Sequence, residues 1–267
     1  MNKKILIWLL AFIITIASAV YQRITGPTYP IKGKFELNNK KVTYKLERSH
    51  SSSQPYKVVI DVGNSETIGN IYWKRHKTND DWQVVKLNNE NGVLSGEIPP
   101  QPPAGKIEYR VELFYDGKSI LLPEDEPVIL RFKGDVPAYI LIPHILFIFL
   151  AMLFSVRTGL EYFNREKNYK NLVYLTLLFL ILGGFVFGPA VQYFAFGEWW
   201  TGFPFGIDLT DNKTLIALIG WLFALYKMKK SENYEKWILF ASILMLIVFL
   251  IPHSLLGSEL DYSKMNR

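Results

Sequence analysis

Two histidines occupy the same place in a repeated tetrapeptide. Leu-Ile-Pro-His ends at His144 in one apolar segment and at His253 in another. Neutral imidazole is a common ligand of metal ions and of haem iron, so such a pair could hold a metal or supply two axial ligands. The chain contains no cysteine, which excludes disulfides and thiolate metal sites and leaves histidine as the main candidate ligand.

The two histidines are expected at a similar depth in a membrane. His144 lies about 9 Å along a helix that begins at Ala138. His253 lies about 24 Å along a helix that begins at Trp237. Because that helix begins on the opposite side of a hydrocarbon core about 30 Å thick, His253 comes close to the side from which the helix of His144 begins. Ionisable residues inside membrane segments usually face a bundle interior or a site. These positions favour a shared ligand site, and the alternative is that each imidazole caps a helix end or hydrogen-bonds a carbonyl group.

A loop rich in aromatic residues and glycine lies on the same side. It runs from Phe196 to Asp208, contains Trp199 and Trp200, and leads into a segment that carries Asp211. Aromatic rings often gather at the membrane interface, but a plain aromatic belt does not require interleaved glycines. The loop is therefore a candidate ring platform, with Trp199 and Trp200 facing a ligand and Asp208 and Asp211 anchoring the loop.

This loop resembles the tryptophan-rich WWD segment of the cytochrome c-type haem-handling membrane proteins. In that family an outward, Asp-ending loop leads into a helix and is flanked by two outward-facing histidines, which would be His144 and His253 here. The resemblance implies haem b as a cofactor. Two departures are that the leading tryptophan of the family is Phe196 here and that the stretch from Gly197 to Asp208 is longer.

Long apolar runs must position these residues. A helix needs about 20 apolar residues to cross a membrane. Residues 1–20 read either as a cleavable signal peptide or as a retained signal-anchor helix, because a basic start and an apolar middle precede Ala17-Ser18-Ala19. The segment 138–257 is predicted to form a four-helix transmembrane bundle, with spans at 138–156, 172–195, 209–226 and 237–256.

The distribution of basic residues predicts the orientation. The connections 157–170 and 227–236 carry four Lys or Arg each, whereas 192–213 carries one lysine. The positive-inside rule places the first two in the cytoplasm. The aromatic loop, the region 24–136 and the tail 258–267 then face the outer side of the cell (inner) membrane.

Residues 24–136 have a different pattern, with short β-prone runs separated by turn signals. The runs around Ile71-Tyr72-Trp73, Trp82 and Gly105 to Tyr109 resemble an immunoglobulin-like or fibronectin type III-like module. The fold class expected is an α+β membrane protein, in which an all-β sandwich precedes the helical bundle.

Function is expected to follow from the outer face of the helices. The first hypothesis is a protein that binds or handles haem, or another metal centre, through His144 and His253, with the β-sandwich docking an envelope or membrane protein. The alternative is a non-catalytic accessory subunit of a membrane complex without a cofactor. No hydrolase motif or phosphate-binding loop is present, which disfavours an enzyme. A net charge of +6 without a basic stripe disfavours a nucleic-acid partner and leaves the lipid bilayer as the expected surroundings.

Overall fold

The computed structural model describes residues 3–164, 168–252 and 259–264 of the chain. It is an α+β protein of two compact units. The first, called the helical unit, comprises Met1–Pro27 and Val136–Ser258, and the second, called the β unit, comprises Thr28–Asp135 and Glu259–Arg267. The chain therefore passes from the helical unit into the β unit twice. The prediction of a sheet-rich region followed by apolar helices is confirmed at this level.

The β unit contains three sheets within the described residues. A hairpin pairs β1 with β2, a six-stranded sheet has the order β3-β11-β9-β5-β6 with β10 also paired to β9, and a third sheet has the order β4-β8-β7. The strands are β1 (Ile31–Leu37), β2 (Lys40–Leu46), β3 (Ser49–Ser51), β4 (Tyr56–Asp61), β5 (Ile68–Arg75), β6 (Gln83–Lys86), β7 (Asn88–Glu90), β8 (Val93–Ile98), β9 (Lys106–Tyr115), β10 (Lys118–Leu122) and β11 (Val128–Lys133).

Alternation along β9 shows why this region folds into sheets. Ile107, Tyr109, Val111 and Leu113 are fully buried, and the residues between them are partly exposed. Successive side chains of a strand point to opposite faces, so this pattern places one face of β9 in the core. Strand β5 pairs with β9 along its whole length and contributes Ile71 to the same core.

The helical unit contains six α-helices within the described residues. They are α1 (Lys3–Thr25), α2 (Ala138–Leu160), α3 (Tyr169–Ile181), α4 (Gly188–Phe196), α5 (Leu209–Lys230) and α6 (Glu235–Leu250). A π-helical segment, Leu182–Phe187, joins α3 to α4 without a break. In the described part of the chain, three helical stretches are long and apolar enough to cross a membrane, namely Lys3–Thr25, Ala138–Phe163 and Tyr169–Phe196.

Local chemistry explains where the later helices begin and end. Helix α4 ends at Gly197, which adopts a left-handed conformation with φ 86° that glycine tolerates without strain. Helix α6 ends at Leu250, and Ile251 is extended because it precedes Pro252. The predicted span 237–256 runs beyond this end, and its residues from 253 onward lie outside the described part of the chain.

An ion pair is buried at the end of α2. Arg157 and Glu161 are 6% and 2% exposed, and the Arg157 guanidinium donates to a Glu161 carboxylate oxygen. The other Glu161 oxygen accepts the Asn168 backbone N–H at 3.0 Å, and the Asn164 amide donates to it at 3.2 Å. The Trp8 ring of α1 lies 5.4 Å from the Arg157 guanidinium carbon. The ion pair, its hydrogen bonds and the contact with the Trp8 ring thus link α1, α2 and the start of α3.

The segment after the last helix belongs to the β unit. The Leu260 backbone N–H donates to the Ala104 carbonyl at 3.1 Å, and the Tyr262 hydroxyl donates to the Gln101 side chain at 3.3 Å. The Glu259 carboxylate lies 2.9 Å from the Lys77 ammonium and 3.1 Å from that of Lys106. Residues 259–264 therefore contact loops of the β unit and the start of β9, which lie between 153 and 182 residues earlier in the sequence.

We expect the attachment of this segment to weaken in acid. Burial raises the pKa of Glu259, but hydrogen bonds from Lys77 and Lys106 outweigh burial and hold the pKa below its ordinary value of 4.5. A lowered folded-state pKa gives stability that is present above the ordinary pKa and is lost as pH falls through the folded one. The wild type should lose thermal stability between about pH 5 and pH 3 more steeply than Glu259→Gln.

Thermal unfolding of the full-length protein in detergent at stepped pH measures this difference. Glu97→Gln is the matched control, since Glu97 is exposed on β8. It should keep the steep wild-type dependence on pH. Identical slopes for the wild type and Glu259→Gln would show that the ion pairs of Glu259 do not stabilise the protein.

Candidate functional site

The imidazole of His144 is oriented by the helix opposite to it. His144 lies on α2, and its Nδ1 is 2.9 Å from the carbonyl oxygen of Gly183 in the π-helical segment. A carbonyl oxygen only accepts, so Nδ1 carries the proton and donates. In the neutral ring Nε2 then has a free lone pair. Histidines that bind metals commonly have the same arrangement, with the second ring nitrogen donating to a backbone carbonyl.

The π-helical segment makes this hydrogen bond possible. The Gly183 carbonyl accepts the Gly188 N–H, five residues on, as a π-helix requires. A Cβ atom at position 183 would lie 2.8 Å from the Ile148 backbone nitrogen, so only glycine permits this approach to α2. Sequence reasoning missed Gly183, although the pair Gly183-Gly184 inside an apolar run is a signal of close helix contact.

A cavity of about 340 Å³ lies beside His144 among α1, α2 and α6. This volume is at the lower end of the range for small-molecule sites, about 300–1,000 Å³. The two hydroxyl groups in its wall, those of Thr15 and Ser18, donate to carbonyls of α1 and are thereby satisfied. The cavity is lined by Thr15, Ser18, Ala19, Gln22, Arg23, His144, Ile145, Ile148, Phe149, Met152 and Phe249.

The second predicted ligand, His253, lies outside the described residues. Within residues 3–164, 168–252 and 259–264, no group of three or more His, Asp or Glu side chains could hold a metal ion. The structure therefore describes one of the two proposed axial ligands, His144, and the surroundings of its ring.

The two loop tryptophans stack on different partners. Trp199 is stacked on Tyr193, with ring centroids 4.5 Å apart, and its side chain is 54% exposed. Trp200 is stacked on Phe185 at 5.6 Å, and its indole N–H donates to the Phe203 carbonyl at 3.1 Å. Both rings are thus engaged with aromatic side chains of the helical unit, and neither is among the residues that line the cavity beside His144.

The two predicted loop aspartates bind backbone N–H groups. Asp208 is the N-cap of α5, and its carboxylate accepts the Thr210 N–H at 2.7 Å. Asp211 is 7% exposed and accepts the N–H groups of Thr201 and Gly202 at 2.7 and 3.0 Å. A Cβ atom at Gly202 would lie 2.6 Å from the Asp211 Cβ, so the loop backbone passes directly over this side chain.

We expect Asp211→Ala to loosen the aromatic loop. The change leaves the Thr201 and Gly202 N–H groups without an acceptor, at a cost of about 1–3 kcal/mol for each buried group. Limited chymotrypsin digestion measures the effect, because Phe205, which precedes Gly206 and is 82% exposed, is a cleavage site in this loop. Cleavage there should be at least tenfold faster in Asp211→Ala and near the wild-type rate in Asp211→Asn, which keeps an acceptor oxygen. Unchanged cleavage in Asp211→Ala would contradict this role.

The β unit carries a basic and aromatic patch, called the Trp82 patch. The Lys74 ammonium lies 5.2 Å from the Trp82 ring centroid, and the Arg110 guanidinium carbon lies 5.1 Å from it. Val84, on the neighbouring strand β6, is 54% exposed. Strand pairing places Tyr72 opposite both Val84 and Arg110. Cationic groups stacked on a partly exposed aromatic ring are typical of interaction surfaces.

Comparison with known proteins gives this chain no relative from which a function could be carried over. No protein-family model matches it, and no curated protein matches it either.

Proposed function

We propose that the chain is an integral membrane protein that binds a ligand through His144, in the cavity among α1, α2 and α6. The observation that carries this proposal is the orientation of one imidazole, whose Nδ1 is held by the Gly183 carbonyl while the ring borders a cavity of about 340 Å³. A histidine that merely satisfied a carbonyl would not require an open volume beside it. The role proposed is binding rather than catalysis.

We further propose that the β unit, an immunoglobulin-like sandwich in this interpretation, and the aromatic loop lie on the outer side of the membrane. The distribution of Lys and Arg supports this orientation. The return of residues 259–264 to the β unit bears on the number of crossings, whichever side the β unit is on. Both ends of the stretch 136–258 join one compact unit, so this stretch crosses the membrane an even number of times. Four crossings, by α2, by α3 with α4, by α5 and by α6, satisfy that condition.

Cysteine labelling tests the orientation, because the chain has no cysteine of its own. Lys118→Cys places a thiol on β10, and Glu232→Cys places one in the connection between α5 and α6. A membrane-impermeant maleimide added to spheroplasts should label the first variant and should label the second only after permeabilisation. The reverse result would invert the topology.

Haem is the first candidate ligand. Nε2 of His144 is available as one axial ligand, and haem b held by His144 and His253 follows from the resemblance of the loop. The fit is partial, since the cavity is not flanked by Trp199 and Trp200 and the position of His253 is not described. An absorption spectrum of the protein purified from haem-supplemented cells tests this candidate. A Soret band that is lost in both His144→Leu and His253→Leu would establish it, and the absence of a band would exclude haem.

A second function, docking of a membrane or envelope protein, is favoured by the Trp82 patch. Lys74 and Arg110 flank an aromatic ring there, so the chemistry suits an acidic segment of the partner. A partner recovered by crosslinking with the wild type should be lost in Trp82→Ala combined with Arg110→Ala, and its recovery should fall as ionic strength rises. Equal recovery with the double variant would place the docking surface elsewhere.

A further inference from the structure

The cavity beside His144 has a polar end and an apolar length. His144 lies at the polar end together with Gln22, whose amide donates to the Phe249 and Ile251 carbonyls at 2.5 and 3.2 Å. From His144 to Met152 the cavity follows α2 for about 12 Å. Its apolar wall includes Ile145, Ile148, Phe149, Met152 and Phe249, and α1 adds Ala19 and the two hydroxyl groups already bonded to carbonyls of their own helix. Such a shape fits an amphiphile with a small polar head and an apolar tail.

The state of the His144 ring restricts the head of this ligand. Because Nδ1 donates to Gly183, Nε2 of the neutral ring is an acceptor, and it has no hydrogen-bond partner within the described residues. The ligand must therefore present an O–H or N–H donor to this nitrogen. Helices α1 and α2 both belong to stretches that are apolar and long enough to cross a membrane, and the basic side chain of Arg23 also lines the cavity, so a cationic head is disfavoured.

The apolar wall favours a planar ring behind that donor. Phe149 and Phe249 can contact the face or edge of an aromatic ring, and the thioether of Met152 packs well against one. A volume of about 340 Å³ admits such a ring and the first part of a chain attached to it. The rest of a long tail would extend into the bilayer.

We propose that this cavity binds a quinol, with one phenolic hydroxyl donating to Nε2 of His144 and the isoprenoid tail lying along α1 and α2. The proposal deepens the function proposed above and rests on it, since it names the ligand class of the same cavity. It concerns binding alone and includes no electron-transfer step. It differs from haem binding because quinol uses the lone pair of Nε2 as a hydrogen-bond acceptor.

Titration of the full-length protein in nanodiscs tests the proposal. The probes are decylubiquinol, kept reduced under anaerobic conditions, and its dimethyl ether, which has the same ring and tail but no O–H donor. Isothermal titration calorimetry measures both affinities. The wild type should bind the quinol about tenfold more tightly than the ether, as expected for one hydrogen bond to a partly buried acceptor.

Variants at the two ends of the cavity sharpen the test. His144→Leu should reduce quinol affinity to that of the ether, whereas His144→Gln keeps an acceptor oxygen and should stay within about threefold of the wild type. Met152→Trp fills the apolar end and should weaken both probes by about tenfold or more. His50→Leu replaces a histidine of the β unit and is the matched control, with the affinities of the wild type.

The outcomes separate a wrong ligand class from a wrong binding site. Equal affinity for quinol and ether, or equal quinol affinity in the wild type and His144→Leu, would overturn the quinol proposal. Two further results would also overturn the quinol proposal. One is a co-purified phospholipid that is lost in both His144→Leu and Met152→Trp, and the other is a Soret band that is lost in His144→Leu. Both results would retain His144 as a ligand site. If neither variant changes the binding of any probe or co-purified molecule, the proposed function fails as well.

Discussion

Replacing Arg157 by methionine is expected to destabilise the folded helical unit by about 3–5 kcal/mol. The change leaves the Glu161 carboxylate, which is 2% exposed, without the cation that neutralises it. An unpaired buried charge is costly because little solvent reaches it, and the Asn164 and Asn168 donors provide hydrogen bonds but no positive charge. The contact between the guanidinium and the Trp8 ring is lost at the same time.

Thermal unfolding of the purified protein in detergent should show this loss as a large fall in the midpoint temperature. The double variant Arg157→Met with Glu161→Gln removes both charges and keeps an acceptor for the Asn168 N–H, so it should recover most of the stability. A midpoint for the single variant equal to that of the wild type would show that Glu161 is neutral or solvated in the protein.

Replacing Ile71 by alanine is expected to cost about 2–5 kcal/mol of stability. Ile71 is fully buried and lies between Val85 on β6 and Val111 on β9. Its Cδ1 atom would lie 3.0 Å from a Cβ atom at Gly96, so it also packs against the sheet that contains β8. Truncation would open a cavity where the six-stranded and three-stranded sheets meet, and strands on both sides restrict collapse of the space.

Ile68→Ala is the matched control, because Ile68 lies on the same strand and is 64% exposed. It should change stability by no more than about 0.5 kcal/mol. Denaturant unfolding of the full-length protein, followed by far-ultraviolet circular dichroism, compares the two variants. Similar midpoints for them would mean that the β unit does not use Ile71 as a core residue.

Local patterns were enough to predict many of the elements. The uncharged apolar run 171–197 corresponds to the continuous helical stretch Tyr169–Phe196, since hydrophobicity and length alone mark such a helix. Strands β5 and β8 lie in the region 24–136, where short β-prone runs between turn signals predict strands. In these segments neighbouring residues favour the same secondary structure, so the element can be predicted without knowledge of distant contacts.

The surroundings of the predicted site residues depend on contacts that no local pattern contains. The hydrogen bond from His144 to Gly183 requires the relative position of two helices, and the stacking of Trp200 on Phe185 requires the path of the loop. Sequence reasoning selected His144, Asp208 and Asp211 by residue type. It missed Gly183, because the glycine pair signals close helix contact but not the π-helical turn that brings the Gly183 carbonyl to His144.

The packing of residues 259–264 on the β unit has a consequence for biosynthesis. A ribosome completes residues 28–135 well before it reaches Glu259, so the newly made β unit first exists without the partner of Lys77 and Lys106. Leu260 and Tyr262 likewise arrive only after helices α1 to α6 have been synthesised. The β unit therefore gains these contacts only after helix α6 has been synthesised, and until then the residues that bind the tail lack these partners.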